Sequence, residues 1–195
     1  MMVKIIRHLI SIVVAISLSL LVGCSSNAPS KSYFQLASDL PEQTSHTMKK
    51  TQHFIWIETV DVANFLNKPG IVLQTDDIKY VTASNHLWAS TLSQQLQDRV
   101  VQDLSVFLPD YLVSSKSLST PTLTVKLFID GFHGSYSGDA LIKGRWVITD
   151  SHNNIETKPF ERHVALMTNG YDALVKALSK GWQEEEQDFA NSITR

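Results

Sequence analysis

The stretch TLTVKLFIDGFHGSYSGDALIKGRWVITDSHNNIETKPFERHVALM, Thr122 to Met167, decides the fold class. It holds three runs, TLTVKLFIDGF, ALIKGRWVIT and IETKPFERHVALM, of strand length and strand composition. Two turn-forming clusters join them, Ser137-Gly138-Asp139 and Asp150-Ser151-His152-Asn153-Asn154. Turns this short connect antiparallel strands, because a parallel pair needs a crossover of about a dozen residues or more. The spacing therefore predicts an antiparallel meander.

Upstream of it, HFIWIETVDV (His53 to Val62) has the composition of a strand. After the turn Asn67-Lys68-Pro69-Gly70, the runs IVLQT and IKYVTA flank Asp76-Asp77 and read as a hairpin. From Ser90 the apolar period changes. Leu92, Leu96, Val100, Leu104 and Leu108 recur with Gln94, Gln95, Asp98 and Gln102 between them, so an amphipathic helix is expected, with Ser90 capping its start and Pro109 ending it. A last helix is expected to begin near Asn169-Gly170, with Tyr171, Leu174, Leu178, Trp182, Phe189 and Ile193 on one side. The expected fold class is α+β, a mainly antiparallel sheet with two long amphipathic helices packed on it.

Catalytic patterns are absent from these segments. GSYSG, Gly134 to Gly138, fails the G-x-S-x-G spacing of a nucleophile elbow and joins two strands where the elbow needs a strand followed by a helix. DGFHGSYSG lacks the Gly-Lys-Ser/Thr ending of a phosphate loop. Asp76 and Asp77 are adjacent, would point to opposite faces of a strand, and have no further acidic ligands at calcium-loop spacing, so a solvated turn is the simpler reading. His86, His133, His152 and His163 show no metal-binding spacing. QEEEQD, Gln183 to Asp188, reads as the solvated acidic face of the last helix. Trp88, where the hairpin hands over to the helix, can pack inward or face a partner; packing is the favoured reading. No catalytic residue, cofactor or metal site is expected.

The amino terminus has a different character. Lys4 and Arg7 precede an uncharged, mostly apolar stretch from Leu9 to Val22 and then Cys24, the chain's one cysteine. That stretch is short for a transmembrane helix, which needs about 20 apolar residues, and has the layout of a secretory signal peptide. A single cysteine excludes an internal disulfide. Leu21-Val22-Gly23-Cys24 resembles a bacterial lipobox, in which the thiol receives diacylglycerol and the chain is cut before the cysteine; a spare thiol in an ordinary signal peptide is the competing reading. Three acyl chains, as the resemblance implies, would anchor the protein permanently, where one holds only marginally. Ser25 stands where lipoproteins retained in the enterobacterial inner membrane typically carry Asp, so the same resemblance points to the periplasmic face of the outer membrane.

The expected organisation is thus a lipoprotein signal peptide over 1–23, a lipid-anchored tether over 24–50 with a short edge strand at SYFQL (Ser32 to Leu36), and a single domain over 51–195. The formal net charge of −2, with no basic patch and no RNA- or DNA-binding motif, argues against a nucleic-acid partner.

Against this background VDVANFLNKPGIVLQTDDIKYVTASNHLWASTLSQQLQDRVVQDL, Val60 to Leu104, looks like the signature block of the PqiC-like ABC-type transport auxiliary lipoproteins. YFQL, FHGSYSGDALIKGRW and GYDALVKALSKGW extend the resemblance in collinear order over nearly the whole mature chain. The resemblance implies a non-catalytic outer-membrane lipoprotein that meets an MCE-domain tunnel protein of the PqiB type, in a system moving lipid between membranes and supporting envelope integrity. It transfers one residue, the lipid-modified Cys24. A ring-shaped tunnel implies several copies of its partner, so a homo-oligomer is expected, with Asp76, Asp77, Asn85, His86 and Trp88 as the partner-contact region. A pilotin or chaperone lipoprotein for another envelope complex, and a periplasmic lipid-modifying enzyme, are the alternatives.

Overall fold

The computed structural model describes residues 30–41 and 53–194. The signal-peptide segment, Cys24 and most of the tether lie outside the described residues. In chain order the elements are β1 (Ser32–Phe34), β2 (His53–Val62), β3 (Gly70–Asp76), β4 (Lys79–Trp88), α1 (Leu92–Phe107), β5 (Tyr111–Ser114), β6 (Leu123–Gly134), β7 (Asp139–Asp150), β8 (Ile155–Ala165) and α2 (Tyr171–Ile193).

All eight strands join one sheet, and that sheet is mixed, which corrects the expectation of a mainly antiparallel one. Four of its seven strand pairings are parallel: β1 with β4, β2 with β5, β2 with β6, and β3 with β6. The antiparallel pairings are the β3–β4 hairpin and the β6–β7–β8 meander. Short turns fix direction only for the strands they join. β2 reaches β5 through the hairpin and α1, and β6 through a longer path still; such long connections are what parallel pairing requires. At its centre β6 has β7 along one edge, while its other edge pairs first with Ile55–Val62 of β2 and then, at Gly134, with Leu73 of β3. The sheet therefore forks, β2–β5 forming one arm and β3–β4–β1 the other.

Both helices form, and they pack against the sheet and each other, α1 over β2 and β5 and α2 over β6, β7 and β8. The cap of α1 is Thr91 rather than Ser90, and it makes no side-chain capping bond. Leu108, the residue before Pro109, leaves the helical region, as steric conflict with the proline ring requires. Leu92, Leu96, Val100 and Leu104 of α1 are buried, each such side chain stabilising by about 1.5–3 kcal/mol. Under α2, Trp146 stacks on Phe189 at 4.2 Å and on Trp182 at 5.8 Å. Gly181 lets α2 approach closely: a Cβ there would stand 2.5 Å from Ile142 Cδ1 and 2.7 Å from Val164 Cγ2.

The sheet's open face is charged. Lys126–Glu58 (3.3 Å), Lys143–Glu161 (2.6 Å) and Arg145–Asp130 (3.0 Å) pair on it, and Arg145 lies over the Phe128 ring. One face packed and one solvated gives the alternating burial of β7. Among the described residues, no helix is long and apolar enough to cross a membrane.

Candidate functional site

The amino-terminal segment is where the body receives the chain that leads from Cys24. β1 adds to β4 at the end of the sheet, and Ala89 N–H donates to the Phe34 carbonyl at 2.8 Å. Beyond β1 the backbone crosses both helices and is held by their side chains. Leu36, itself buried, donates its N–H to Gln95 Oε1 of α1 at 2.8 Å. Gln95 Nε2 in turn donates to the Ser90 and Phe34 carbonyls. Ala37 N–H donates to Ser179 Oγ of α2 at 3.1 Å, and Asp39 N–H to Gln183 Oε1 at 3.0 Å. An extended segment outside the sheet ladder needs other partners for its backbone groups, and Gln95, Ser179 and Gln183 supply them. Displacement of this segment would strip Gln95 Oε1 of its Leu36 donor and leave the Gln95 amide with the Ser90 carbonyl alone.

Beside these residues lies a buried carboxyl cluster. Asp103 of α1 and Glu186 of α2 are almost wholly buried, and Arg99 pairs with Asp103 one helical turn away. Burial first, and then the neighbouring Asp103 carboxylate, hold Glu186 well above the usual carboxylate range; Arg99 and the Trp182 indole oppose this. Burial and Asp103 thus both favour the protonated form of Glu186, neither of whose oxygens has a hydrogen-bond partner. Next to it Glu185 accepts from Trp146 Nε1 at 2.9 Å and pairs with Arg162 at 3.3 Å. Burial raises Glu185 as well, against those two contacts. The reading of QEEEQD as a solvated face thus fails at its centre. The apolar stripe Leu178, Trp182, Phe189 has its intervening positions at 185 and 186, and that spacing was the signal for their burial. On α1, Gln95, Arg99 and Asp103 recur every four residues, the line that faces α2.

The five residues of the expected contact region do not form one surface. Asp76 and Asp77 are exposed at the hairpin turn, where Asp77 accepts from the Tyr136 hydroxyl at 2.5 Å. Asn85 and His86 are half-buried several residues along β4, with His86 stacked on Tyr171 at 4.0 Å. Trp88 is buried and meets Phe132.

The β6–β7 turn brings serines, a carboxylate and a histidine together. Ser137 Oγ donates to Asp139 Oδ1 at 2.5 Å, Ser135 and Ser137 hydroxyls lie 2.6 Å apart, and His163 Nδ1 meets Asp139 Oδ2 at 2.5 Å. A nucleophile needs a base on its hydroxyl. Here the second ring nitrogen of His163 turns to Glu161 Oε1 at 3.3 Å, so neither serine has a ring nitrogen as base. Hydrogen bonds donated to Asp139 and then to Glu161 raise His163 above its usual value. His133 is buried in this region, bonded to the Gly134 carbonyl, and burial lowers it. Among the described residues no group of three His, Cys, Asp or Glu side chains could hold a metal ion.

Comparison with known proteins places this arrangement. A family model described as ABC-type transport auxiliary lipoprotein component matches residues 34–190, from the start of the strapped segment through most of α2. The chain belongs to that family. It is similar to proteins named Intermembrane transport lipoprotein PqiC from Escherichia coli (strain K12) and Shigella flexneri, each 36% identical over 175 residues, 90% of this chain and 92% of theirs. A crystal structure of an uncharacterized protein is 35% identical and superposes with a TM-score of 0.75, covering 84% of this chain and 99% of that one. Protein XCC0632 from Xanthomonas campestris shares the fold at 13% identity, with a TM-score of 0.59 over 70% of this chain and 80% of its own.

Proposed function

We propose that this chain is the outer-membrane lipoprotein component of an MCE-type intermembrane lipid transport system, anchored through acylated Cys24 and docking the periplasmic tunnel there in support of envelope integrity. The observation that carries the proposal is the 36% identity, over 90% of the chain, to lipoproteins named for intermembrane transport. The strapped segment supports it. A load applied to the anchor enters the body through β1 and through Gln95, Ser179 and Gln183, and so reaches the sheet and both helices together. A docking module on a lipid tether works best as a stiff body.

Several copies would match the repeated rim of a ring-shaped tunnel, and attachment to one membrane raises their effective concentration. The decisive experiment has two arms. Fatty-acid labelling of the wild-type chain and of Cys24→Ser is expected to label only the first. Light scattering of the body across a concentration series, with and without the MCE tunnel protein, is expected to show an oligomer and a complex. Label retained on Cys24→Ser overturns the anchor, and a strict monomer that ignores the tunnel protein overturns the docking role.

A further inference from the structure

One end of the sheet is apolar and faces outward. The hairpin turn between β3 and β4, the β6–β7 turn and the exit from β8 meet there. The Tyr136–Asp77 hydrogen bond ties the first two, and the Leu166 N–H to Gly138 carbonyl bond ties the second to the third. Ile78 is 90% exposed, Met167 93% and Tyr136 58%, each at the tip of its own turn. Tyr80 and Phe65, also exposed, meet in a tilted ring contact at 4.9 Å beside them. Large apolar side chains held out on the tips of adjoining turns mark an interaction surface. Tyrosines among them suit an interface that is apolar on one side and wet on the other.

The direction of the chain identifies the occupant. β1 runs parallel to β4, with Ser32 beside His86, so its amino-terminal end points toward the hairpin turn. Lys79, at that turn, is seven residues before His86, about 23 Å along the strand. Cys24 is eight residues before Ser32, a reach of up to about 28 Å. Eight residues are thus long enough for an anchor on Cys24 to reach the level of Ile78. Charge refines the choice. Asp76 and Asp77 precede Ile78 and one lysine, Lys79, follows it, a balance that disfavours an anionic surface.

We infer that Ile78, Tyr136 and Met167 form a membrane-resting end that seats in a zwitterionic lipid surface and sets the body upright on its anchor. The inference rests on the lipid-anchor reading. It leaves the far end of the sheet, with Leu118 and Ile155, toward the periplasm.

The test uses the full acylated chain in phosphatidylcholine vesicles containing lipids with spin-labelled acyl chains as quenchers. A polarity-sensitive fluorophore is placed on Ile78→Cys, Met167→Cys, Leu118→Cys or Ile155→Cys, one at a time; all four positions are exposed, and acylation occupies the thiol of Cys24. Quenching several-fold greater at 78 and 167 than at 118 and 155 is the expected result. Equal quenching at all four sites, or none, overturns the inference. So does a spectral change at 78 that develops without lipid, which would assign the patch to a second copy of this chain. Preference for phosphatidylglycerol vesicles overturns the choice of surface. Vesicle flotation and the mass of the modified Cys24 are read on the same samples. Loss of either marks failure of the anchor, and intact anchoring with an unquenched tip marks failure of the inference alone.

Discussion

Two carboxylate settings in this protein, one between the two helices and one at the β6–β7 turn, behave oppositely. Asp103 and Glu186 are buried with few partners, while Asp139 is ringed by Ser135, Ser137 and His163 in an exposed network. Burial alone would raise Asp139, but its hydrogen bonds from Ser137, His163 and Ser135 outweigh it and lower the group. At Glu186 burial prevails and raises it. The constellation that resembles catalytic chemistry is the solvated one. The buried cluster, which resembles nothing in sequence, lies where the two helices meet.

The largest effect is expected from Arg99→Leu. It leaves Asp103 buried without its cation, a loss of about 3–5 kcal/mol for a broken buried pair. Urea unfolding measures it. The double variant Arg99→Leu, Asp103→Leu is expected to recover most of the loss, because replacing both partners removes the uncompensated charge. A single variant as stable as wild type would show that the cluster is more hydrated than its burial indicates.

Gln95→Ala comes second. It strips the acceptor from the buried Leu36 N–H, a cost of about 1–3 kcal/mol for an unsatisfied buried donor. Hydrogen exchange locates the effect: the Leu36 and Ala37 amides are expected to exchange faster, with the β6–β7 ladder unchanged. Uniform acceleration over the whole sheet would mean that the strap is not a separate contribution.

The contrast between the two settings also shows what could be read from the sequence. The meander and hairpin were legible because their turns are short, and both helices because their apolar residues keep a helical period. The parallel pairings of β1, β2 and β5 were not, since nothing local in Ser32–Phe34 or Tyr111–Ser114 records which distant strand they join. Gln95 was taken as a residue lying between the apolar positions and Glu186 as one on a solvated face, because a polar side chain at a core-facing position has the same letter as one in water. What distinguishes them is supplied by another element: the Leu36 amide as a partner for Gln95, and for Glu186 the packing of α1, which buries it beside Asp103.

Glu186→Gln addresses the sign of the buried setting. The folded protein holds the Glu186 proton to higher pH than the unfolded chain, whose value is near 4.5. Between those values the folded state binds more protons, so its stability falls as pH rises. The contribution is complete below about 4.5 and is lost as pH climbs through the folded value. Glutamine keeps the shape and removes the titration, so stability against pH is expected to flatten above that point. A residual slope of the same sign is expected from Glu185, which burial also raises. A variant with the wild-type slope would show that Glu186 ionises freely.

The smallest effect belongs to the exposed setting. His163→Ala removes the contacts to Asp139 and Glu161 from a side chain more than half exposed, and surface pairs of this kind contribute about 0–1 kcal/mol. His163 is raised above its usual 6.5, so its contribution is complete below about 6.5 and disappears as pH rises through the folded value. Urea unfolding at pH 6 is expected to show a small loss in the variant that salt diminishes, and at pH 9 none. Because solvent screens this pair and not the one under the helices, the ratio of the His163 effect to the Arg99 effect measures how differently the two settings treat charge. If His163→Ala costs as much as Arg99→Leu, or costs the same at pH 9 as at pH 6, the histidine acts through packing at the β6–β7 turn, and the turn network is not the solvated counterpart of the buried cluster.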